Sequence, residues 1–427
     1  MIYVNDVHHD QPYFERCFAS FDRHPALRAA ERIAVCSPDT AFCLALTLYV
    51  KQRGGTIYPL PVDMPLEAAR RRAERSGATF LAFGADAETA LENVERIEAA
   101  CAVVGQAALI QTSSGTTGEP KYIARSWRSI DMEIESYTRH FDASGLTPIV
   151  ACPTNHSYGL ICGVLVAIAR GVQPVVVTNP NPRYILRKLQ QSESPLLYAS
   201  PPLLVALSML MPEDGPIFAA MTSGTLLKQK QFEAIRSKVR HLHQQYGCSE
   251  AGCLTLGQDI SSANELGHAL PHVDLVAGPS ASEPREIVAR IGAVPVETRD
   301  LGYFEEGSLR YVSRIDDMIN VSGLNVYPTE VEEVVLQMPG VSDAVVYRSN
   351  QGFGGDQVCL HVVADRTLEH GEIRGWCAKK LASHQVPMRI AQVESIPRMP
   401  NGKVSRKALT EASNRRDAHA SGARVSS

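Results

Sequence analysis

Apolar residues in the first hundred positions alternate between short continuous runs and longer amphipathic stretches. ERIAVCS, TIYPL and TFLAFG are apolar enough for strands that are buried on both faces. The triplet SPD at 37–39 gives the start signal of a helix that runs to Arg53 and stops at the glycine pair 54–55. The charged stretch PLEAARRRAERSG predicts a second helix, closed by Gly77. This βαβα order predicts a mainly parallel sheet flanked by helices, and therefore an α/β fold.

The pattern continues through the middle of the chain and changes towards its end. IVACPTN and VQPVVVTN predict strands on either side of a helix over 159–170. Short strands and turns dominate residues 272–315, which predicts a β-rich segment. After Arg314, a helix that begins at Pro328, two strands and the helix GEIRGWCAKKLAS predict a small α+β unit.

These changes divide the chain into two domains and a tail. A chain of 427 residues is too long to fold around one small hydrophobic core. We predict a large N-terminal domain over residues 1–315 and a small C-terminal domain over residues 316–410. Residues 411–427 lack apolar content, and we expect them to form a disordered tail.

Composition and charge exclude several classes of partner. The chain is 44% hydrophobic and 21% charged, as in ordinary soluble globular proteins, and its net charge is −4. A balance this close to neutrality argues against a dedicated surface for nucleic acid or an anionic membrane. The longest apolar run, residues 158–169, is far shorter than the ~20 residues of a membrane-spanning helix. We expect no nucleic-acid partner and no membrane association.

The cysteines and the first residues indicate the compartment. Ten cysteines are scattered without a CxxC pair, and no second cysteine or histidine cluster completes a metal site around Cys248 and Cys253. The start, MIYVNDVHHDQ, has neither the basic segment nor the apolar core of a secretory signal. We expect a cytoplasmic protein with reduced thiols, present as a monomer or homodimer.

Residues 111–121 read QTSSGTTGEPK, a run of hydroxyl side chains and glycines that is typical of a phosphate-binding loop. The glycines let the backbone approach an anion, and N–H groups and hydroxyls can donate to its oxygens. In the common nucleotide-binding loop a lysine directly follows the second glycine, but here Glu119 and Pro120 separate Gly118 from Lys121. The loop therefore predicts a phosphate site and leaves open which phosphate chemistry it serves.

Two further residues are candidates for that chemistry. Glu250, in YGCSE, offers the carboxylate oxygen that Mg²⁺ prefers, although a glutamate in a glycine-containing loop is more often plain surface. Lys403 follows the tight-turn signal Pro-Asn-Gly at 400–402, which places it at a loop tip. Taken alone, a solvated surface lysine is the simpler interpretation of Lys403.

Five stretches in this order resemble the adenylate-forming superfamily of acyl- and aryl-CoA synthetases, stand-alone adenylation domains and luciferases. They are SSGTTGEPK (113–121), NHSYG (155–159), YGCSE (246–250), residues 298–332 and PNGKVSRKAL (400–409). The resemblance implies a layered αβαβα N-terminal domain and a mobile C-terminal domain. It also implies that ATP and a carboxylic acid form acyl-AMP with release of pyrophosphate, after which the acyl group passes to a thiol.

The resemblance assigns nucleotide-binding roles to two sets of residues. The β- and γ-phosphates are held by Ser113, Ser114, Gly115, Thr116, Thr117, Gly118 and Lys121. The remainder of the ATP molecule is held by Ser223, Gly224, Thr225, Tyr246, Gly247, Ser249, Asp300 and Arg314. Within the second set, residues 223–225 form a strip that lines the edge of the adenine, and Tyr246 stacks on adenine. Ser249 donates to the α-phosphate, and Asp300 and Arg314 hold the ribose. Glu250 is implied as the Mg²⁺ ligand and, with Thr116, as a catalytic residue.

The resemblance also implies a moving catalytic lysine. Lys403 enters the site of the large domain and bridges the substrate carboxylate and the α-phosphate. Rotation of the small domain about a hinge at Asp316 then removes the lysine, so that the thiol of CoA or of a carrier-protein phosphopantetheine can enter. Gly323 lines the pantetheine tunnel, which a Cβ atom would narrow.

The acid pocket is implied to lie along Asn155, His156, Tyr158, Gly159 and Cys248, with His156 also a catalytic candidate. Relatives that activate amino acids usually place an aspartate in this segment, but PTNHSYGL contains no carboxylate. Because a buried ammonium without a partner is costly, we predict an aryl or acyl acid that lacks an α-amino group.

Four residues near these motifs depart from the family pattern. Tyr122 and Leu226 replace a usual glycine and proline, and Arg299 and Ser313 replace glycines next to the predicted ribose-binding residues. The alternatives are an enzyme that loads an amino acid onto a carrier protein, a kinase or NTPase that releases ADP, and a nucleotide-binding module without thioester activity.

Overall fold

The computed structural model describes residues 1–28, 31–99, 108–113, 121–212, 217–292, 294–321, 324–350, 356–399 and 404–422. Its strands are β1 Ile2–Val4, β2 Val7–His9, β3 Arg32–Cys36, β4 Thr56–Pro59, β5 Phe80–Phe83, β6 Val94–Arg96, β7 Ala108–Ser113, β8 Lys121–Ser126, β9 Thr147–Val150, β10 Val175–Val176, β11 Pro195–Ala199, β12 Ile217–Thr222, β13 Val239–Cys248, β14 Gly252–Gly257, β15 Glu265–Ala269, β16 Asp274–Val276, β17 Arg285–Ile291, β18 Val294–Glu305, β19 Ser308–Arg314, β20 Ile319–Val321, β21 Leu324–Val326, β22 Val341–Asn350, β23 Asp356–Ala364 and β24 Arg389–Gln392.

Thirteen α-helices lie in the described ranges, between or after these strands in the chain. The α-helices are α1 Gln11–Arg23, α2 Pro25–Arg28, α3 Thr40–Gln52, α4 Leu66–Ser76, α5 Ala87–Glu92, α6 Trp127–His140, α7 Val166–Ala169, α8 Pro182–Gln190, α9 Pro201–Leu210, α10 Gln229–Arg236, α11 Pro328–Leu336, α12 His370–Ala378 and α13 Arg406–Gly422. No helix in the described ranges is long and apolar enough to cross a membrane.

The N-terminal part contains a six-stranded sheet in the order β6-β5-β3-β4-β7-β8. β3 pairs in parallel with both β4 and β5, and β4 pairs in parallel with β7. The predicted βαβα arrangement is therefore confirmed. The caps of its helices follow the sequence signals: the Asp39 carboxylate accepts from the Phe42 N–H at 3.0 Å, and α4 ends at Gly77 with φ of 77°.

A second sheet has thirteen strands in the order β16-β17-β18-β19-β15-β14-β13-β12-β11-β9-β10-β1-β2. Its central strands from β10 to β13 are parallel, whereas β13 and β14 are antiparallel and begin the β-rich segment. The change of architecture therefore begins at Gly252, earlier than the predicted residue 272. Apolar residues of the two large sheets and of the helices between them form one continuous core.

The predicted helix over 159–170 is helical, but its first half is a π-helix, Tyr158–Leu165, that continues into α7. Two glycines let this helix approach β9 and the loop after it. A Cβ atom at Gly159 would lie 2.4 Å from the carbonyl oxygen of Pro153, and one at Gly163 would lie 2.8 Å from Val150. The segment is therefore fixed tightly against the end of a central strand.

The C-terminal unit has its own three-stranded sheet, β22-β23-β24, and a hairpin of β20 and β21. Helices α11 and α12 pack on this sheet, and the described residues of its apolar core all come from Ile319 onwards. The chain enters the unit through a short 3₁₀ turn, Ile315–Asp317.

The prediction of a disordered tail over 411–427 is wrong for residues 411–422, because α13 extends to Gly422. Polar contacts fix the beginning of this helix. The Thr410 hydroxyl donates to the Arg348 carbonyl at 2.8 Å, and the Ser349 hydroxyl donates to the Asn414 side chain at 3.2 Å. Apolar content could not reveal a helix that is attached to β22 by hydrogen bonds.

Candidate functional site

The predicted phosphate loop joins two neighbouring antiparallel strands. β7 ends at Ser113 opposite Lys121, which is exposed at the start of β8. The loop residues between these strands, with their predicted roles, lie outside the described residues: Ser114, Gly115, Thr116, Thr117 and Gly118. The strands fix the two ends of the loop next to the central β4 of the six-stranded sheet.

The turn between β13 and β14 carries Ser249 and Glu250, and Glu250 is exposed there. A β-bulge between Tyr246 and Gly247 bends the strand immediately before the turn. The two strands approach so closely that a Cβ atom on Gly247 would lie 1.9 Å from the carbonyl oxygen of Gly252. This position therefore requires glycine, independently of any contact with a nucleotide.

Asp300, Arg314 and Tyr246 form a polar cluster contributed by β18, β19 and β13. Asp300 is 8% exposed and faces Arg314 across the ladder, with Nη1 of the arginine 3.3 Å from its Oδ1. The Tyr246 hydroxyl donates to Oδ2 at 2.8 Å. Burial and the adjacent carboxylate raise the pKa of Tyr246 well above its ordinary value, so the hydroxyl remains a neutral donor. The structure thus brings together three of the predicted nucleotide-binding residues.

The strip Ser223-Gly224-Thr225 follows β12 and lies against the same strand as Tyr246. The Ser223 hydroxyl donates to the carbonyl of Gln245 at 3.1 Å. Gly224 has φ of 97°, a left-handed conformation that other residues rarely adopt. The predicted adenine-binding strip and the predicted adenine-stacking tyrosine are therefore joined through β13.

The predicted acid-pocket segment lies at the N-terminus of the π-helix. The Tyr158 hydroxyl donates to the Met221 carbonyl and lies 3.4 Å from the Ala199 carbonyl, so this side chain also braces the ends of β11 and β12. The side chain of His156 is exposed in part, and desolvation of its ring lowers its pKa. The imidazole is therefore neutral at physiological pH.

Cys248 lies half-buried at the end of β13, beside the predicted nucleotide residues. Burial raises the pKa of its thiol to about 12. The side chain is consequently a neutral thiol at physiological pH, which suits a pocket wall and not a nucleophile.

Gln111 is a residue of this site that the sequence analysis did not single out. It is 4% exposed on β7, two residues before the predicted phosphate loop begins. Its Nε2 donates to the Asn155 carbonyl at 3.4 Å, and its Oε1 accepts from the Ser157 hydroxyl. One buried amide therefore links the strand before the predicted phosphate loop to the predicted acid-pocket segment.

A buried ion pair beneath the Glu250 turn was also missed. Nη2 of Arg125, on β8, lies 2.5 Å from Oε2 of Glu133, on α6, with the side chains 5% and 0% exposed. The other oxygen of Glu133 accepts from the Cys253 N–H at 2.9 Å. Gly252 lies directly on the pair, because a Cβ atom there would be 2.3 Å from Oε2 of Glu133. The pair thus joins β8, which follows the predicted phosphate loop, to the turn that carries Glu250.

The residue at the predicted hinge is paired. Oδ1 of Asp316 lies 3.0 Å from Nη2 of Arg299, a residue that departs from the family pattern. Arg299 has φ of 62°, the left-handed region in which glycine is favoured. It therefore keeps a glycine-like backbone beside Asp300 and adds a contact to the predicted hinge residue. Gly323 and Lys403 lie outside the described residues.

Comparison with known proteins identifies the family. The family model for AMP-binding enzymes matches residues 99–277, and that for the C-terminal domain of AMP-binding enzymes matches residues 330–403. A 3,4-dihydroxybenzoate–[aryl-carrier protein] ligase of Bacillus anthracis is 35% identical over 412 residues, 96% of this chain and 98% of that protein. The chain belongs to the AMP-binding enzyme family.

Other AMP-binding enzymes share its fold at lower identity. The long-chain-fatty-acid–CoA ligase FadD13 of Mycobacterium tuberculosis is 26% identical over 83% of this chain and 78% of its own. The o-succinylbenzoate CoA synthetase of Bacillus subtilis, in complex with its acyl-adenylate intermediate, superposes with a TM-score of 0.80 at 19% identity, covering 96% of this chain and 94% of that one. ATP-bound MatB of Rhodopseudomonas palustris gives a TM-score of 0.79 at 18% identity, over 94% and 93%. The predicted large α/β domain and small C-terminal domain are therefore confirmed.

Family membership also fixes the reaction class. This AMP-binding enzyme is an AMP-forming acid–thiol ligase, which activates a carboxylic acid with ATP and transfers the acyl group to a thiol. The kinase alternative, which would release ADP, does not fit this family.

Replacing Asp300 with asparagine is expected to raise the KM for ATP by about 10- to 100-fold, because hydrogen bonds to a charged group contribute about 1.5–3 kcal/mol. The measurement is ATP-dependent pyrophosphate exchange, with kcat and KM separated. Asp274→Asn, an exposed aspartate on β16, is the matched control and should leave the KM unchanged. The KM of the variant divided by the KM of the wild type should also be measured with 3′-deoxy-ATP. If this ratio were the same for 3′-deoxy-ATP as for ATP, Asp300 would have no role at the ribose.

Proposed function

We propose that this enzyme adenylates a hydroxylated aromatic acid and transfers it to the phosphopantetheine thiol of an aryl carrier protein. The observation that carries the proposal is the 35% identity to a 3,4-dihydroxybenzoate–[aryl-carrier protein] ligase, which extends over nearly the whole of both chains. Such coverage includes the acid pocket and both domains, so the similarity does not rest on the nucleotide motifs alone.

The chemistry of the acid pocket supports an aromatic acid without an amino group. The segment 155–159 offers the amide of Asn155 and the imidazole of His156 but no carboxylate that could pair with an ammonium. The pKa of His156 is lowered by desolvation, so its neutral ring can exchange hydrogen bonds with a phenolic hydroxyl without adding charge. An amino acid would lose the hydration of its ammonium without compensation in this segment.

In this proposal, the first half-reaction uses the predicted nucleotide-binding residues. Asp300, Arg314 and Tyr246 would hold the ribose, and the strip 223–225 would lie along the adenine. The substrate carboxylate attacks the α-phosphorus, forming a new P–O bond while the bond to pyrophosphate breaks. Lys403 would stabilise the negative charge shared by the carboxylate and the α-phosphate, and Ser249 would donate to the same phosphate.

One of the predicted site residues, Glu250, could hold a magnesium ion. Glu250 is exposed in the turn after β13, and its carboxylate is the hard oxygen donor that Mg²⁺ prefers. A magnesium ion bound there would neutralise part of the negative charge of the phosphates. The buried pair of Arg125 and Glu133 would hold the turn in place beneath it.

The acyl acceptor in this proposal comes from outside the chain. Cys248 is the cysteine of the predicted pocket, and its neutral thiol, with a pKa of about 12, is a poor nucleophile. The thiolate of the phosphopantetheine attacks the acyl carbonyl instead, the C–O bond to AMP breaks, and AMP leaves. Rotation about Asp316 would withdraw Lys403 and bring the face that carries Gly323 to the entrance.

A panel of acids in a pyrophosphate-release assay tests the substrate class. Benzoates with none, one or two ring hydroxyls should be compared with a fatty acid and an α-amino acid, and AMP should be quantified with pyrophosphate. We expect the highest kcat/KM for a hydroxylated benzoate. Preference for the fatty acid or the amino acid would contradict the proposed substrate, whereas the family reaction would stand.

The acceptor needs a separate assay. Thioester formation should be measured with free CoA, with a phosphopantetheinylated aryl carrier protein, and with the same carrier lacking its phosphopantetheine as control. Free CoA is the second candidate because other relatives, including FadD13, are named CoA ligases. Faster turnover with CoA than with the modified carrier would favour that second candidate.

A further inference from the structure

Three charged side chains connect the two domains at a place that the nucleotide and acid sites do not use. Lys228 precedes α10 of the large domain, and its Nζ lies 2.7 Å from Oδ1 of Asp343 on β22 of the small domain. The same ammonium donates to the Ala344 carbonyl at 3.0 Å. Nη2 of Arg398 lies 2.6 Å from Oδ2 of Asp343. Each oxygen of one carboxylate is therefore held by a different cation.

The backbone of the small domain directs Asp343 towards this contact. The pairing of β22 with β23 shifts register between Val341 and Asp343, which is where a bulge re-aims side chains. Oδ1 of Asp343 also accepts from the Ala344 N–H at 2.9 Å, which restricts its rotamer. Burial opposes the charge of this carboxylate, but Lys228 and Arg398 keep the pKa of Asp343 below its ordinary value. The contact is consequently ionic at physiological pH.

The position of each residue in the chain gives the contact a functional meaning. Lys228 comes three residues after Thr225, the last residue of the predicted adenine strip. Arg398 comes five residues before Lys403, so it holds the chain that leads to the predicted catalytic lysine. The contact therefore connects the border of the nucleotide site to the base of the lysine segment.

We propose that Lys228, Asp343 and Arg398 form an interdomain latch that favours the domain arrangement required for adenylation over the one required for thioester formation. All three are positioning residues, which act through the placement of the small domain. The inference rests on the proposed function, because it assumes that Lys403 serves only the first half-reaction. The side chains of Lys228 and Asp343 are 23% and 26% exposed, so the contact is partly shielded from solvent and yet can open.

The test separates the two half-reactions in Lys228→Met, Asp343→Asn and the double variant. In each we expect the kcat for adenylation to fall by about three- to tenfold with the KM for ATP unchanged, since the competent arrangement becomes less populated. Thioester formation from supplied acyl-adenylate should be undiminished. The double variant should be no slower than the slower single variant, because the same contact is lost in all three.

Two controls distinguish the latch from a general effect of lost charge. Lys228→Arg keeps the cation and should retain most of the adenylation rate. Arg366→Met removes a pair with Glu372, 2.5 Å long and confined to the small domain, and should change neither half-reaction. Equal loss of both half-reactions, or independent losses that multiply in the double variant, would overturn the proposal.

A substrate-free measurement keeps the latch testable if the proposed acid or acceptor is wrong. Small-angle X-ray scattering of the full chain should show a larger radius of gyration for Lys228→Met than for wild type and Arg366→Met, because the small domain is less restrained. An unchanged scattering profile would overturn the latch whatever acid the enzyme activates. Failure of the acid panel with a changed profile would instead remove only the proposed substrate.

Discussion

Alanine at position 403 is expected to lower the rate of acyl-adenylate formation by at least about 100-fold, the scale seen when a preorganised donor to developing charge is removed. The sequence places Lys403 after a Pro-Asn-Gly turn, within the last residues matched by the family's C-terminal domain. Thioester formation from supplied acyl-adenylate should be largely unaffected, because the lysine has to leave before the thiol arrives. Pyrophosphate release and thioester formation are measured separately.

The matched control for this substitution is Lys407→Ala. Lys407 is exposed, four residues further along the chain, and should be neutral in both assays. If Lys403→Ala reduced both half-reactions by the same factor, alternation of the small domain between two arrangements would be the wrong mechanism. If it reduced neither, the lysine would be an ordinary surface residue.

Alanine in place of Glu133 is expected to destabilise the protein by about 3–5 kcal/mol, because it leaves the buried guanidinium of Arg125 without its counter-charge. The substitution also removes the acceptor for the Cys253 N–H. Activity should fall further than the folded fraction, since the turn that carries Glu250 loses its support. Urea denaturation gives the free energy of unfolding, and pyrophosphate release at a temperature where the variant is folded gives the activity.

A second variant separates packing from positioning. Arg125→Met combined with Glu133→Leu replaces the pair by apolar side chains, which should recover much of the stability. Adenylation should nevertheless remain impaired if the pair positions the turn. Glu135→Ala, which removes an exposed pair with Arg139 on the same helix, should cost less than about 0.5 kcal/mol. A loss below 1 kcal/mol for Glu133→Ala would show that Arg125 finds another partner or water.

The parts of the fold that were predicted correctly depend on local signals. The start of α3 at the Asp39 cap and the end of α4 at Gly77 are set by residues within one turn of each boundary. The π-helical form of residues 158–165 was not predicted, because the apolar pattern of a helix does not reveal its hydrogen-bond period, and the close approach of Gly159 to the Pro153 carbonyl is a tertiary contact. The helix over 406–422 was missed because hydrogen bonds to β22, and not an apolar stripe, fix its first turns.

The same distinction applies to the site. Tyr246, Asp300 and Arg314 were singled out by motif, and the side chains of Tyr246 and Arg314 both lie in contact with that of Asp300. Gln111 and Glu133 were missed because each bonds to a distant backbone group: the Asn155 carbonyl lies 44 residues from Gln111, and the Cys253 N–H lies 120 residues from Glu133. No spacing rule relates residues so far apart. Such buried polar residues become visible as part of the site only when strands from distant segments are placed side by side.

The amide of Gln111 has a consequence for any attempt to change the acid that this enzyme accepts. Its two hydrogen bonds tie the backbone of Asn155 and the hydroxyl of Ser157 to the strand that leads into the predicted phosphate loop. We therefore expect substitutions in the predicted acid-pocket segment, residues 155–159, to change the KM for ATP as well as the choice of acid. Selections for new substrates should be run at a low ATP concentration, because a raised KM for ATP then lowers the reaction rate directly.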